Sequence, residues 1–216
     1  MLEEETNTLT ASYSRSSMFS VSVTGSIEKV FFPSFNHVYC KYNYCYGTDW
    51  SVVGGIEEGV TQIGKKAIFA SASTSTTQAT CSTTCPSDPR QIIVWNHPLD
   101  VTFSSSNPFG WPQLVIAVYG LDAFGHDVIR GYGALHVPPI PGCHTNVRVP
   151  VFVPEASSLL TKFKGWLTGN RPELVDPKVA AQGEGRGVLS VESTGFVYVN
   201  LNVVLRDFSK NGYRHS

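Results

Sequence analysis

The segment from Leu114 to Gly133, LVIAVYGLDAFGHDVIRGYG, is the part of this sequence that is most informative about fold class. It begins with an apolar run, 114–119, of the kind found in a strand buried inside a β-sandwich. Asp122 and Asp127 then flank a glycine, as expected at a turn. A second apolar stretch begins at residue 128 and predicts the returning strand, so the segment as a whole predicts a buried antiparallel hairpin.

The same two-residue period recurs along much of the chain. Further strands are predicted at 19–27, 38–46, 91–95, 99–103, 128–137, 147–153 and 197–205. Together with the run at 114–119 these make about eight strands separated by turn residues, which favours an all-β antiparallel sandwich. We expect its core to contain Phe19, Val21, Tyr42, Leu114, Ile116, Val118, Val199 and Leu201.

The remaining segments do not follow this period. Apolar residues between 157 and 168 have helical spacing and predict one lateral helix. Residues 67–88 contain eleven Ser or Thr, which predicts a disordered insert at about 65–90. We therefore expect a flexible N-terminal tail over 1–17, a single domain over 18–208 and a C-terminal tail over 209–216.

Composition excludes several functional classes. The chain has 216 residues, a formal charge of −1 and only 15% charged residues. A nucleic-acid partner is not expected, because such proteins carry a basic footprint. No run approaches the roughly 18 apolar residues of a membrane span, and the acidic start Met1–Glu5 lacks the apolar region of a secretory signal. The low charge favours a surface that is partly covered by partner proteins.

No motif predicts catalysis, a cofactor or a metal. Neither G-x-S-x-G nor H-E-x-x-H occurs, and the glycine-rich stretch 183–187 precedes a predicted strand instead of opening a helix. Cys81 and Cys85 lack a second ligand pair at a spacing that would complete a zinc site. Because the cysteine count is odd, free thiols are expected. The five cysteines are Cys40, Cys45, Cys81, Cys85 and Cys143.

The tip of the 114–133 hairpin resembles the calcium loop of the C2 lipid-binding sandwich. In that pattern Gly120 takes the first acidic position, Asp122 the second and Asp127 the third, while Asn36 or His37 takes an acidic position on the second loop. Two carboxylates are few for an ion that needs 6–8 oxygen ligands. The resemblance implies a C2-like scaffold with a degenerate tip at Asp122 and Asp127 that does not bind calcium. The alternative role of both residues is to stabilise the turn.

Longer mixed motifs resemble the B9-domain family, which is C2-related, over roughly residues 18–213. The matching stretches are Tyr39–Tyr42, Tyr46–Trp50, Gly55–Ile63, Val94–Phe103, Asn107–Gln113, Gly131–Ala134, Val153–Glu155, Arg171–Glu173, Asp176–Val179 and Ala181–Arg186. The insert at about 65–90 is longer than the family's pattern.

The resemblance implies a non-enzymatic structural component of the ciliary transition-zone complex, a diffusion barrier required for cilium assembly and ciliary membrane protein sorting. Implied partners are related B9-domain subunits and other Meckel-syndrome and tectonic proteins. The implied location is the cytoplasm and cytoskeleton, at the basal body and transition zone of the cilium.

A free-standing calcium- or phospholipid-binding C2-type module is the alternative function. The low number of acids at the tip favours the scaffold over this module. Residues 144–216 carry nine Lys or Arg against six Asp or Glu, so peripheral membrane contact stays an open alternative.

Overall fold

The computed structural model describes residues 18–66, 91–122, 125–154 and 191–213, and these are almost entirely antiparallel β-structure. The strands are β1 (Phe19–Phe31), β2 (Val38–Cys45), β3 (Trp50–Gly55), β4 (Glu58–Val60), β5 (Ile92–Ser105), β6 (Gln113–Leu121), β7 (Asp127–His136), β8 (Gly142–Pro154) and β9 (Val191–Arg206). The predicted all-β antiparallel class is confirmed.

The strands form a curled sheet in the order β3-β5-β1-β9-β8-β7-β6-β2-β4. Strands β7 and β8 are joined by a single residue pair in the described ranges, Tyr132 opposite Phe152. The sheet folds over at this junction. The layer β3-β5-β1-β9-β8 therefore faces the layer β7-β6-β2-β4, and the apolar faces of both layers enclose one core.

Side chains from the two layers meet directly in this core. The ring centroid of Phe103 on β5 lies 5.3 Å from that of Tyr44 on β2. It lies 5.4 Å from that of Tyr46, which directly follows β2. All eight core residues predicted from alternation are buried, with at most 4% of their surface exposed. Burying such a side chain contributes about 1.5–3 kcal/mol, so this interior is the main source of stability.

The strand count differs from the expected eight in two ways. The predicted strands 91–95 and 99–103 form one strand, β5. A bulge at Asn96 (φ 49°) shifts the register with β1 between Ile27 and Lys29, and the pairing continues on both sides of it. Asparagine tolerates this left-handed conformation better than most residues. In addition, β3 and β4 were not predicted, since both contain glycine and Trp50 is the one buried residue in the two strands.

Several expectations fall on other parts of the chain. The lateral helix at 157–168, the tail 1–17 and the insert beyond Lys66 lie outside the described residues. Residues 209–213, assigned to the C-terminal tail, include a 3-10 turn, and the ring of Tyr213 lies 5.6 Å from that of Phe19 in β1. Within the described ranges, no helix is long and apolar enough to cross a bilayer.

Candidate functional site

The aspartate tip lies where two loops meet at one end of the sandwich. The turn 121–127 joins β6 to β7, and the loop 32–37 joins β1 to β2. Because β2 pairs with β6 so that Val38 lies opposite Gly120, the two loops leave the sheet side by side. The structure therefore brings together the two segments that the C2 resemblance pointed to.

Asp122 closes its own turn. Its carboxylate accepts a hydrogen bond of 2.8 Å from the backbone N–H of His126 and lies 3.4 Å from the Nδ1 of that ring. Its backbone N–H donates to the carbonyl of His126, and Gly125 N–H donates to the carbonyl of Asp122. These contacts match the turn-stabilising alternative proposed for Asp122. Asp127 is exposed and pairs with Leu121 at the start of the ladder.

A guanidinium group spans the two loops. The Nη2 of Arg130 donates a 2.8 Å hydrogen bond to the carbonyl of Leu121 on the first loop. Its guanidinium carbon lies 4.2 Å from the ring centroid of Phe35 on the second loop. Such a cation–π contact contributes about 0.5–1 kcal/mol at an exposed site. A permanently charged side chain thus connects the same two loops.

Gly120 leaves the space for this arrangement. A Cβ atom at this position would lie 2.9 Å from the carbonyl oxygen of His37 and 3.2 Å from the Cγ of Arg130. An aspartate there would therefore displace either the neighbouring loop or the arginine. Gly120, which takes the first acidic position in the C2 pattern, therefore leaves the space that the Arg130 side chain occupies. Arg130 could not be identified from the sequence, because nothing in its local pattern indicates which loop its side chain reaches.

The loop 32–37 is held by the side chain and backbone of Lys66. The backbone N–H of Lys66 donates to the side-chain oxygen of Asn36 at 3.0 Å, and its ammonium donates to the carbonyl of Pro33 at 2.8 Å. Burial lowers the pKa of Lys66 from its ordinary value. His37 is exposed beside this contact. The side-chain oxygen of Asn36 and the carbonyl of Pro33 are therefore already engaged by donors from the protein.

These side chains do not form a metal-ligand set. In the ranges 18–66, 91–122, 125–154 and 191–213, no group of three or more His, Cys, Asp or Glu is placed to hold an ion. The chemistry that the tip offers is turn stabilisation by Asp122 and loop bridging by Arg130. That the tip does not bind calcium stays a prediction.

The cysteines in the described ranges are free thiols, as expected. Cys40 is buried, Cys45 half-buried and Cys143 exposed, whereas the Cys81–Cys85 pair and the glycine-rich stretch 183–187 lie outside the described residues. Burial raises the pKa of the Cys40 thiol to about 12, so it stays protonated and unreactive near neutral pH.

Comparisons with known proteins agree with the resemblance found in the sequence. The family model "Ciliary basal body-associated, B9 protein" matches residues 21–204. The chain is 49% identical to mouse B9 domain-containing protein 1, covering 91% of this chain and 87% of that protein. It is 50% identical to the Xenopus laevis protein of that name, covering 91% and 89%. With bovine B9 domain-containing protein 2 the identity is 29%, covering 90% and 98%.

A solved structure, that of a C2 domain from plant Extended Synaptotagmin 1, aligns over 85% of this chain and 93% of that chain. Its TM-score is 0.37 and its sequence identity 10%.

Proposed function

Because this chain belongs to the B9-domain family of ciliary proteins, we propose that it is a non-enzymatic structural subunit of the transition-zone complex at the base of the cilium. In this role it helps to form the diffusion barrier that controls entry of membrane proteins into the cilium. Its partners are related B9-domain subunits and, through them, Meckel-syndrome and tectonic proteins. The observation that carries the proposal is the family match over residues 21–204.

The described surface supports an assembly role. Large apolar side chains are exposed at several positions, including Phe109 at 80% and Val53 at 68%. Only 15% of residues are charged, compared with about 25% in a typical soluble domain. Exposed apolar side chains on a surface with few charges are typical of a protein that works in contact with others.

Gene removal and rescue in ciliated cells test the proposal. A tagged chain should concentrate at the ciliary base, and its loss should reduce the amount of membrane proteins inside the cilium. The tagged chain should also co-purify with B9 domain-containing protein 2 from the same cells. A uniform distribution through the cytosol, together with normal cilia after removal, would contradict the proposal.

The calcium- or phospholipid-binding alternative has its own test. Purified chain is sedimented with phosphatidylserine vesicles in the presence and absence of calcium. We expect no calcium-dependent increase in the bound fraction, since two carboxylates are few for calcium and that of Asp122 already accepts a hydrogen bond from the protein, as do the Asn36 side-chain oxygen and the Pro33 carbonyl. A calcium-dependent increase would favour the free-standing module.

A further inference from the structure

Among the residues that the structure describes, β4 is paired on one side only, by β2, and forms an edge of the sheet. In the β2–β4 pairing, Tyr44 N–H donates to the carbonyl of Glu57, and Thr61 N–H donates to the carbonyl of Cys40. Antiparallel ladders alternate between bonded and non-bonded residue pairs. The pairs Asn43–Glu58 and Lys41–Val60 are therefore non-bonded, and the backbone N–H and C=O groups of Glu58 and Val60 point away from β2.

Aliphatic side chains are exposed along the same edge. The exposed fractions are 61% for Ile56, 52% for Val60 and 53% for Ile63. An edge with free backbone groups and exposed aliphatic residues is a surface on which another strand can pair. Soluble proteins usually protect such edges with charges, prolines or bulges.

The other end of the sheet is protected in this way. The pairing of β3 with β5 shifts register between Val52 and Gly54, which marks a bulge. Gly55 follows with φ +87°, and a Cβ at that position would lie 2.3 Å from the carbonyl of Asp100. The bulge twists the β3 edge out of regular ladder geometry, so β4 is the better surface for strand addition.

A groove lies beside β4 on the outer face of its layer. It has a volume of about 430 Å³, and Ala117 leaves room in its lining because its side chain is small. Lys41 lines the groove with its ammonium 4.5 Å from the ring centroid of Tyr119. A strand added at β4 would direct alternate side chains to this face, where the groove can receive one of them.

Charge at this edge indicates the chemistry of the added strand. The stretch Trp50–Gly64 contains two carboxylates, Glu57 and Glu58, and no Lys or Arg. Lys41, which lies opposite Val60 in the β2–β4 pairing, is held over the ring of Tyr119. Glu57 accepts a 3.0 Å hydrogen bond from the hydroxyl of Tyr46, whereas Glu58 has no ion pair with any residue that the structure describes. The complementary strand carries Lys or Arg beside aliphatic residues. A second copy would instead bring another acidic edge, with its own Glu57 and Glu58, against this one.

We propose that the edge from Ile56 to Ile63 is the surface on which a related B9-domain subunit docks, by adding a basic and aliphatic strand to β4. This inference rests on the proposed function, because it names the surface through which that subunit binds. Backbone hydrogen bonds from Glu58 and Val60 give affinity, while the aliphatic side chains and Glu58 give selectivity.

Binding of the full chain to purified B9 domain-containing protein 2 from the same source tests the proposal. The double variant Val60→Lys/Ile63→Lys and the single variant Glu58→Lys should each bind at least roughly tenfold more weakly, as expected for residues at the centre of an interface. The matched control is Val94→Lys on β5, which is equally exposed at 53% and should change affinity by less than about twofold. Thermal melting checks that each variant is folded.

Amide exchange gives a second readout that needs no variant. Complex formation should slow exchange at Glu58 and Val60, whose N–H groups do not take part in the β2 ladder. If the two Lys-bearing variants bind like the wild type, or these amides stay unprotected, the edge is not the interface although the partnership stands. If the wild-type chain does not bind the relative, both the partnership and this inference fail. Self-association that these variants abolish, without binding to the relative, would assign the edge to a second copy.

Discussion

Arg130 on β7 places its guanidinium carbon 4.2 Å from the ring centroid of Phe35, on a loop that lies 95 residues earlier in the chain. The same side chain donates a hydrogen bond to the carbonyl of Leu121. In this way one arginine fixes the relative position of the two loops at the aspartate tip. The geometry of the tip therefore depends on a cation that belongs to the protein.

The first prediction concerns this bridge. Replacing Arg130 by Met keeps much of the apolar stem but removes the charge and the donors, and should cost about 1–2 kcal/mol of unfolding free energy. Amide exchange over 121–127 should become faster. The matched control is Arg148→Met, since Arg148 also lies 4.2 Å from a ring centroid, that of Phe196. It should cost about 0.5 kcal/mol and leave exchange at the tip unchanged.

Calcium independence is the second prediction. Titration of the chain with calcium should give no binding stronger than about millimolar, because two carboxylates leave most of the 6–8 ligand positions to water. The variant Asp122→Asn/Asp127→Asn should cost about 1 kcal/mol of stability, since Asn keeps an acceptor for the turn. It should bind partners like the wild type. A micromolar calcium signal that the double variant abolishes would contradict this prediction.

The buried strands could be predicted from sequence, whereas the edges and the tip contacts could not. Tyr42 and Leu201 follow an alternation because one face of each strand is buried, whereas Ile116 lies in the continuous apolar run of β6, which is buried on both faces. Strands β3 and β4 have too few buried residues to produce such a pattern. The contacts of Arg130 and Lys66 depend on pairing between segments that are distant in the chain, with Val38 opposite both Gly120 and Gly64, so local sequence carries no signal for them.

A third prediction concerns the contact between Gly110 and Gly47. Gly110 has φ +72°, and a Cβ there would lie 2.5 Å from the Cα of Gly47, whose N–H donates to the carbonyl of Gly110 at 2.8 Å. Gly110→Ala should therefore destabilise the fold by about 2–4 kcal/mol in urea unfolding. Gly54 is the matched control, because a Cβ there meets nothing within 4 Å. Gly54→Ala should change stability by about 0.5 kcal/mol or less.

The insert supplies a fourth prediction. The described residues on either side of it contact the same loop: Lys66 contacts Pro33 and Asn36, and the carbonyl of Gln91 accepts a hydrogen bond from Phe32 N–H. Because a short linker can join these two ends, replacing 67–88 by a few Gly and Ser should change stability by about 1 kcal/mol or less. Thermal melting measures this. Loss of folding, or strong amide protection within 67–88, would show that the insert belongs to the folded domain.

The last prediction follows from the buried thiol of Cys40. Burial raises the pKa of this thiol to about 12, whereas the pKa of a thiol in the unfolded chain is about 8.5. Since the folded state holds the proton more tightly, the stabilising contribution is complete below about pH 8.5 and is lost as pH rises towards 12. Within that window the thiol lowers the unfolding free energy by up to about 1.4 kcal/mol per pH unit.

Cys40→Val should remove this contribution while keeping the site apolar, so its unfolding free energy should fall less steeply than that of the wild type between about pH 9 and 11. Burial also raises the pKa of the Tyr44 hydroxyl, which has no hydrogen-bond partner among the described residues, so Tyr44 adds to the loss of stability at high pH. The variant keeps Tyr44 and therefore keeps this part of the slope. The control Cys143→Ser changes an exposed thiol and should follow the wild-type slope. If Cys40→Val and the wild type lose stability in parallel, the Cys40 thiol does not titrate in the way its burial requires.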